Sequence, residues 1–494
     1  MSVAIEQART PKTGAGYRTL WRWHFYAGLF VMPFLVVLAI TGTLYCFKPQ
    51  LEPLLYPQLL VVQPQATPKL DADTLFAVAR ATMPAGSAAV SMQVVSNADR
   101  SAEFVFRLPD GQQHSVYVNP YDGTVLGTLS VADRFMQVTR MLHRKLLLGK
   151  PGELLMELAA CWTLVMIATG VAMWWPRAQN GGRMEFRPRL SLKGRPLWKS
   201  IHAAMGIWLA VGAIAFVLTG LPWTGFWGKY FQAIAASVDL GAPPGVWGDL
   251  PLRSRLPGAA ATTEESPPPQ PAHHHADHGL VTKQLPLPEV PWAVGTVPVP
   301  DSTAAEPSAV PVSIEKIIAQ VAALGVRSDY ALALPASREG VYVVSYFPPD
   351  PKLERTIYVD QYSGAVMHDI RYTDYGAISQ AVSYGTSLHM GRYFGLPNQI
   401  LSALISMGLG AMAVTGAVMW WKRRPARSIG APAQEQAAPA MRTWKAGLIM
   451  LGVVFPLMGL SLFIVWALDW FLFQRIFRKQ EVSPSLGNST MYRK

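Results

Sequence analysis

Charged residues are scarce in this chain. Asp, Glu, Lys and Arg make up 15% of its 494 residues, while half of the residues are hydrophobic. Soluble domains carry about 25% charged residues, so the deficit points away from an ordinary soluble protein and towards the bilayer. Cysteine is nearly missing. Cys46 and Cys161 both lie in or at apolar runs, read as small packing residues, and carry no information on disulfides or redox compartment. No G-x-G-x-x-G opens a helix after a strand-like run, so no flavin or nicotinamide signature is visible. A small-x-small cleavage pattern is missing too. The first apolar run exceeds 20 residues and ends in TGTLYCFKP rather than small-x-small, so it is expected to be retained.

Long apolar runs are what the chain has. Roughly 20 residues cross a hydrocarbon core about 30 Å thick, and five runs reach that length: 24–47, 152–175, 200–222, 397–421 and 446–473. The net charge of +12 is unevenly spread. Residues 176–199 hold seven Lys/Arg against one acid and 422–445 hold six against one, whereas 224–386 holds ten against sixteen. Short basic loops stay in the cytoplasm. The N-terminus (1–23), 176–199 and 422–445 are therefore expected inside, and 48–150, 223–396 and the tail (474–494) outside. Arg475, Arg478 and Lys479 fit the placement of the tail less well. The basic charge is a topology signal, which excludes a nucleic-acid reading.

The chain is duplicated. Laid on 387–421 without a gap, 141–175 gives 12 identities in 35, among them His143/His389, Gly149/Gly395, Pro151/Pro397, Thr169/Thr415, Gly170/Gly416 and the pairs Trp174-Trp175/Trp420-Trp421. The opening spans match more faintly, His24, Gly28 and Thr41-Gly42 against His202, Gly206 and Thr219-Gly220. Each half reads as a span out, an external unit and a span back, with the fifth span outside the repeat. LDADTLFAVARATM (70–83) and VSIEKIIAQVAAL (312–324) have helical spacing, and each precedes alternating, strand-like runs. Each external unit is expected to be one helix on an antiparallel meander. The segment 241–310, rich in Pro, Ala and Ser, is expected to be a flexible linker.

Four histidines occupy matched places. His24 and His202 open spans at the inner boundary. His143 and His389 precede Pro151 and Pro397, which suit the first turn of a new helix, so they belong on pre-membrane segments at the outer face. An ionisable residue at a span is a functional hypothesis by default, and two imidazoles can hold one haem iron. Pairing by depth gives two b-type, bis-histidine haems, an inner one on His24 and His202 and an outer one on His143 and His389. Gly28 and Gly206, one turn after the inner histidines, would let a flat macrocycle approach the backbone. Arg22, Lys199, Arg144 and Arg392 sit beside the four histidines and could neutralise propionates. The tryptophan pairs read as interfacial anchors. Glu157 and Asp469 read as interface-exposed, with proton relay or pairing as the alternative. AHHHADHG (272–279) offers His273, His274, His275 and His278 for Zn, Cu or Ni, or is a polar tract without a role.

These residues resemble a family. WRWHFYAGL, YVNPYDGTVLG, YVDQYSGAVMHD, LHRKLLLG, SLHMGRYFG, TGVAMWWP and TGAVMWWKRR are similar to the PepSY-associated membrane-helix proteins, which include the iron-regulated ferric-siderophore reductases of bacterial inner membranes. The resemblance covers about 17–240 and 312–425. It implies an α-helical multi-pass membrane protein of about five spans, built on a duplicated two-span unit, with two small external α+β PepSY-like domains, 48–140 and 311–372. It also implies electron transfer from the cytoplasmic side to a periplasmic ferric siderophore or another oxidised metal complex. The donor would be a flavin reductase, reduced flavin or quinol. Tyr384, Arg392 and Tyr393 could help to dock an anionic complex. The rival reading is a non-catalytic, membrane-anchored PepSY module that modulates a peptidase or senses a metal; the matched histidine spacing stands against it.

Overall fold

The computed structural model describes residues 16–175, 186–238, 240–241, 253–254, 282–285, 287–302, 310–327, 329–425, 430, 441–465 and 467. Helix α1 (Tyr17–Cys46) is followed by the short α2 (Lys48–Leu55) and α3 (Pro57–Leu60), then by α4 (Ala72–Ala81). Strands β1 (Ala88–Val94), β2 (Ala102–Arg107), β3 (Gln113–Val118) and β4 (Val125–Ser130) precede α5 (Phe135–Lys145) and α6 (Lys150–Trp174). Helices α7 (Arg195–Gly220) and α8 (Trp227–Ser237) lead to the two-residue strands β5 (Arg253–Ser254) and β6 (Asp301–Ser302). The plan then repeats: α9 (Ile314–Ala323), β7 (Tyr330–Ala333), β8 (Val341–Tyr346), β9 (Arg355–Asp360), β10 (Val366–Arg371), α10 (Ala377–His389) and α11 (Leu396–Trp421), with α12 (Arg442–Val454) beyond it.

Helices α1, α6, α7 and α11 are long and apolar enough to cross a membrane, and the protein is multi-pass. Three of them start alike. Gly149, Gly194 and Gly395 cap α6, α7 and α11 with φ of 65°, 66° and 61° and ψ near −140°, and each is followed two residues later by proline. That corner of backbone space is open to glycine and closed to side chains. Proline fits a first turn, where its missing N–H has no partner to lose.

The fifth expected span, 446–473, is not one straight helix. Pro456 has no N–H and its ring disfavours helix at the residue before it, and α12 stops at Val454. A short apolar helix, Pro456–Val465, follows. The bend brings the two pieces together at glycines: a Cβ on Gly459 would lie 2.5 Å from the Gly452 carbonyl oxygen. Phe455 and Met458 pack beside Cys161, Val165 and Leu221. The span count among the described residues is four.

The two external units are one sheet. Its eight strands run β10-β9-β8-β7-β1-β2-β3-β4, and the halves join where β1 pairs antiparallel with β7, Met92 opposite Leu332 and Val94 opposite Tyr330. The expected meanders account for β2–β4 and β8–β10; the joining strands β1 and β7 were not among them. Helices α4 and α9 lie on one face over a shared core that includes Leu75, Phe104, Val116, Ile317, Leu332 and Ile357. Their N-termini cap each other. Asp73 accepts the N–H groups of Ile314 (2.9 Å) and Glu315 (3.0 Å), and Glu315 accepts that of Ala72 (2.9 Å). Carboxylates at helix N-termini satisfy orphan donors and complement the dipole.

Part of the expected linker is packed. Ala293, Val294 and Val297 are buried against Val341, Val343, Tyr358 and Ile370, on the sheet face opposite α9. This explains why β8 and β9 are buried on both faces. The mean composition of 241–310 concealed a short apolar stretch. The histidine tract 272–279 lies outside the described residues, as does Asp469.

Candidate functional site

Each long helix carries a Thr-Gly pair near its C-terminal end, and each threonine donates its hydroxyl hydrogen to its own helix. Thr41 bonds the carbonyl of Val37 (2.6 Å), Thr169 that of Val165 (2.8 Å), Thr219 that of Ala215 (2.6 Å) and Thr415 that of Met412 (3.0 Å). This back-bonding is common for threonine in helices. With its hydrogen committed, the oxygen is left as an acceptor.

A histidine fills that role in all four places. Nδ1 of His143 lies 2.9 Å from Thr41 Oγ1, His24 3.1 Å from Thr169, His389 2.8 Å from Thr219 and His202 2.8 Å from Thr415. The Nδ1–H therefore donates, and Nε2 carries the lone pair. His24 adds a second acceptor, the Met166 carbonyl at 3.0 Å, which has no hydrogen to give. A ligand histidine held through its other nitrogen in this way is fixed in tautomer and ring direction. The glycine of each pair makes room for the ring. A Cβ on Gly170 would lie 3.2 Å from Cε1 of His24, on Gly42 3.4 Å from that of His143, on Gly220 3.5 Å from that of His389 and on Gly416 3.7 Å from that of His202.

The histidines fall into two sets. His24, His202, Thr169 and Thr415 lie at the end of the bundle away from the sheet, and their opposite numbers lie at the sheet end. Every histidine–threonine bond stays within one half of the duplication. The halves meet where α1 packs on α11 and α6 on α7. There the rings of His24 and His202 face each other, with centroids 6.3 Å apart and planes at 88°. A metal lies about 2.0 Å from an imidazole nitrogen, so two rings on one ion have centres roughly 6 Å apart. The pair fits a bis-imidazole site. At the sheet end His389 packs on Phe216, 4.9 Å between centroids. Among the described residues no three His, Cys, Asp or Glu gather as a metal cluster.

The other residues singled out from the sequence have different surroundings. Gly28 and Gly206 face matched methionines: a Cβ would lie 3.8 Å from Met166 Sδ and 3.1 Å from Met412 Cε. Arg144 donates to the Trp223 carbonyl (2.8 Å). Arg392 bonds Glu289 (3.2 Å) and the Phe347 carbonyl, and Arg22 lies over the Tyr26 ring. Tyr384 and Tyr393 touch edge to face, 5.5 Å between centroids. Glu157, expected to be exposed, is 1% exposed, and its carboxylate accepts the N–H groups of Phe226 and Trp227 at the start of α8. A buried acid tied to a helix N-terminus is a structural anchor. Sequence reading missed the four threonines as partners of the histidines. The signal was present, because Thr-Gly recurs in all four spans.

Comparison with curated proteins returns no match. The family model described as the PepSY-associated TM region matches residues 21–423, which take in all four histidines, all four Thr-Gly pairs and the whole sheet. The chain belongs to the PepSY-associated TM region family.

Proposed function

We propose that this protein is a di-haem electron-transfer protein of a bacterial inner membrane, with the sheet in the periplasm, and that it reduces an oxidised metal complex of the ferric-siderophore type. The observation that carries the reading is the fourfold histidine–threonine arrangement, with His24 and His202 at the spacing two imidazoles adopt on one metal. Haem iron, when bound, supplies one-electron chemistry between Fe(III) and Fe(II).

The chain's own residues do the rest. His24 and His202 would ligate at the inner end, His143 and His389 at the sheet end. The four threonines hold the Nε2 lone pairs ready, so no ring has to change tautomer on binding. Thr41 lies 17 residues along α1 from His24, about 25 Å at 1.5 Å per residue. Two centres at those levels divide the crossing into steps. Reduction of ferric iron loosens its hold by a siderophore's hard oxygen donors and releases it for uptake. The ferric-siderophore class of acceptor is supported by the family resemblance, and electrons would come from reduced flavin, a flavin reductase or quinol.

The test is an absorption spectrum of the purified protein, oxidised and then reduced with dithionite, together with a haem-to-protein ratio. Two haems per chain are expected, with one lost in His389→Ala. A folded protein free of haem would end this reading.

A further inference from the structure

We propose that Lys48, Arg140 and Arg144 form an anion cradle beside His143 that receives carboxylates. The inference rests on the di-haem reading and deepens it at the sheet-side centre.

The geometry starts from the bond between His143 and Thr41, which fixes α5 against α1. On α5, Arg140 and Arg144 are one turn apart and share a face. Beyond Thr41, α1 presents Tyr45 one turn further on, and Lys48 follows at the start of α2, its Nζ 5.9 Å from the Tyr45 ring centre. Three cations thus converge on the sheet-side flank of His143.

They lack partners in proportion to their charge. Arg140 donates one nitrogen to the Pro288 carbonyl (3.1 Å), while its buried Nε has no hydrogen-bond partner. Arg144, with five N–H donors, has the Trp223 carbonyl as its hydrogen-bond acceptor. The nearby acids are shared. Glu289 binds Arg392 and also faces Lys48, Glu153 lies 3.6 Å from Lys145 and also faces Arg144, and Glu52 faces Lys48 and Arg134. A buried guanidinium N–H left unpaired is costly, so an arrangement that keeps one calls for a ligand.

The duplication supplies a control. In the second half, Tyr45, Lys48, Arg140 and Arg144 correspond to Trp223, Phe226, Thr386 and Met390, none of them charged. There the matching corner closes on itself, Trp223 Nε1 donating to Thr386 Oγ1 at 2.9 Å. The fold builds this corner without a charge, so the cations of the first half serve something else. Multiple N–H donors with excess positive charge suit carboxylates. Those carboxylates would come from the acid edge of a haem held at His143 or from an acidic ligand entering from the sheet side.

The experiment uses the full-length protein in detergent, as wild type and as the Lys48→Met, Arg140→Gln double variant. Two measurements are made: transfer of oxidised haem to apomyoglobin, and the thermal midpoint with and without citrate. If the cradle holds haem acids, one of the two haems leaves the variant about tenfold faster, the scale at which outer contacts of a metal site act. If it holds an external acid, haem transfer is unchanged, and citrate raises the midpoint of wild type but not of the variant. Equal haem transfer together with equal citrate response overturns the proposal. In a protein purified without haem, which would sink the di-haem reading by itself, the citrate comparison alone decides the cradle. Should the double variant fail to fold, Arg140→Lys and Arg140→Gln replace it: the charge-keeping change should lose less, and equal behaviour counts against the cradle.

Discussion

The imidazoles of His24 and His202 stand perpendicular, 6.3 Å between ring centres at an interplanar angle of 88°, although they open helices in opposite halves of the chain. Each ring is held by a threonine from the neighbouring helix of its own half, so the right angle is built into the packing of four helices. On the di-haem reading, a haem held by His24 and His202 would have perpendicular imidazoles, which leave two iron d orbitals close in energy, and would give a strongly anisotropic low-spin signal in electron paramagnetic resonance. A rhombic signal typical of parallel rings, assigned to the inner haem by its loss in His24→Ala, would contradict the arrangement.

Removing the threonine partners should act unequally. His24 donates towards both Thr169 and the Met166 carbonyl, whereas His202 has Thr415 as its hydrogen-bond partner. On the di-haem reading, Thr415→Val is expected to weaken haem binding at His202 by about 10- to 100-fold, the usual cost of losing such a support. Thr169→Val should cost less, and Thr415→Ser should restore most of the loss. Haem titration of the stripped protein gives the ranking, and the opposite order would show that these hydroxyls do not set the ligands.

The glycines beside the threonines make a graded series. A methyl group on Gly170 would lie 3.2 Å from the His24 ring, tighter than ordinary contact, whereas on Gly416 it would lie 3.7 Å from His202. Gly170→Ala should displace the His24 ring and, on the di-haem reading, shift the haem spectrum. Gly416→Ala should leave the spectrum as in wild type. Identical behaviour of the two variants would mean that the rings are not held where these distances place them.

Much of this site was legible in the sequence, and the remainder had physical reasons for staying hidden. The histidines stood out because a rare residue recurred at matched positions. Their threonines recurred as plainly, but which histidine meets which threonine depends on α6 lying against α1 and α11 against α7. The β1–β7 seam was hidden for a similar reason. Edge pairing between Met92 and Leu332 is a long-range choice that neither half announces. Ala293, Val294 and Val297 were averaged into a proline-rich background, though their burial now covers one face of β8. The break after Val454 was readable from Pro456, yet run length outweighed it.

Glu157 is expected to matter for stability rather than chemistry. Its carboxylate takes two backbone N–H groups at the start of α8, and neither has a substitute acceptor in its hydrogen-bond pattern. Glu157→Ala should destabilise the protein by about 1–3 kcal/mol, the cost of unsatisfied buried donors. Glu157→Gln, which keeps one oxygen, should fall between. Denaturant unfolding in detergent, followed by tryptophan fluorescence, measures both, and haem content of the folded fraction should not change.

Glu354 links pH to the helix that carries His389. It is 2% exposed, accepts the Ser383 hydroxyl of α10 at 2.9 Å, and burial pushes its carboxyl up from the ordinary 4.5 to about 7, against the opposing pull of Ser383 and Arg392. A group that holds its proton more tightly when folded stabilises the fold most below its unfolded pKa. That contribution is complete below pH 4.5 and is lost as pH rises towards 7, after which it is flat. At 1.36 kcal/mol per pKa unit the loss is about 3 kcal/mol. Glu354→Gln, neutral at every pH and able to keep a contact with Ser383, should remove this slope and be the more stable protein at pH 8. Thermal midpoints of both proteins from pH 4.5 to 8 test it, and parallel curves would show that Glu354 does not titrate in that window.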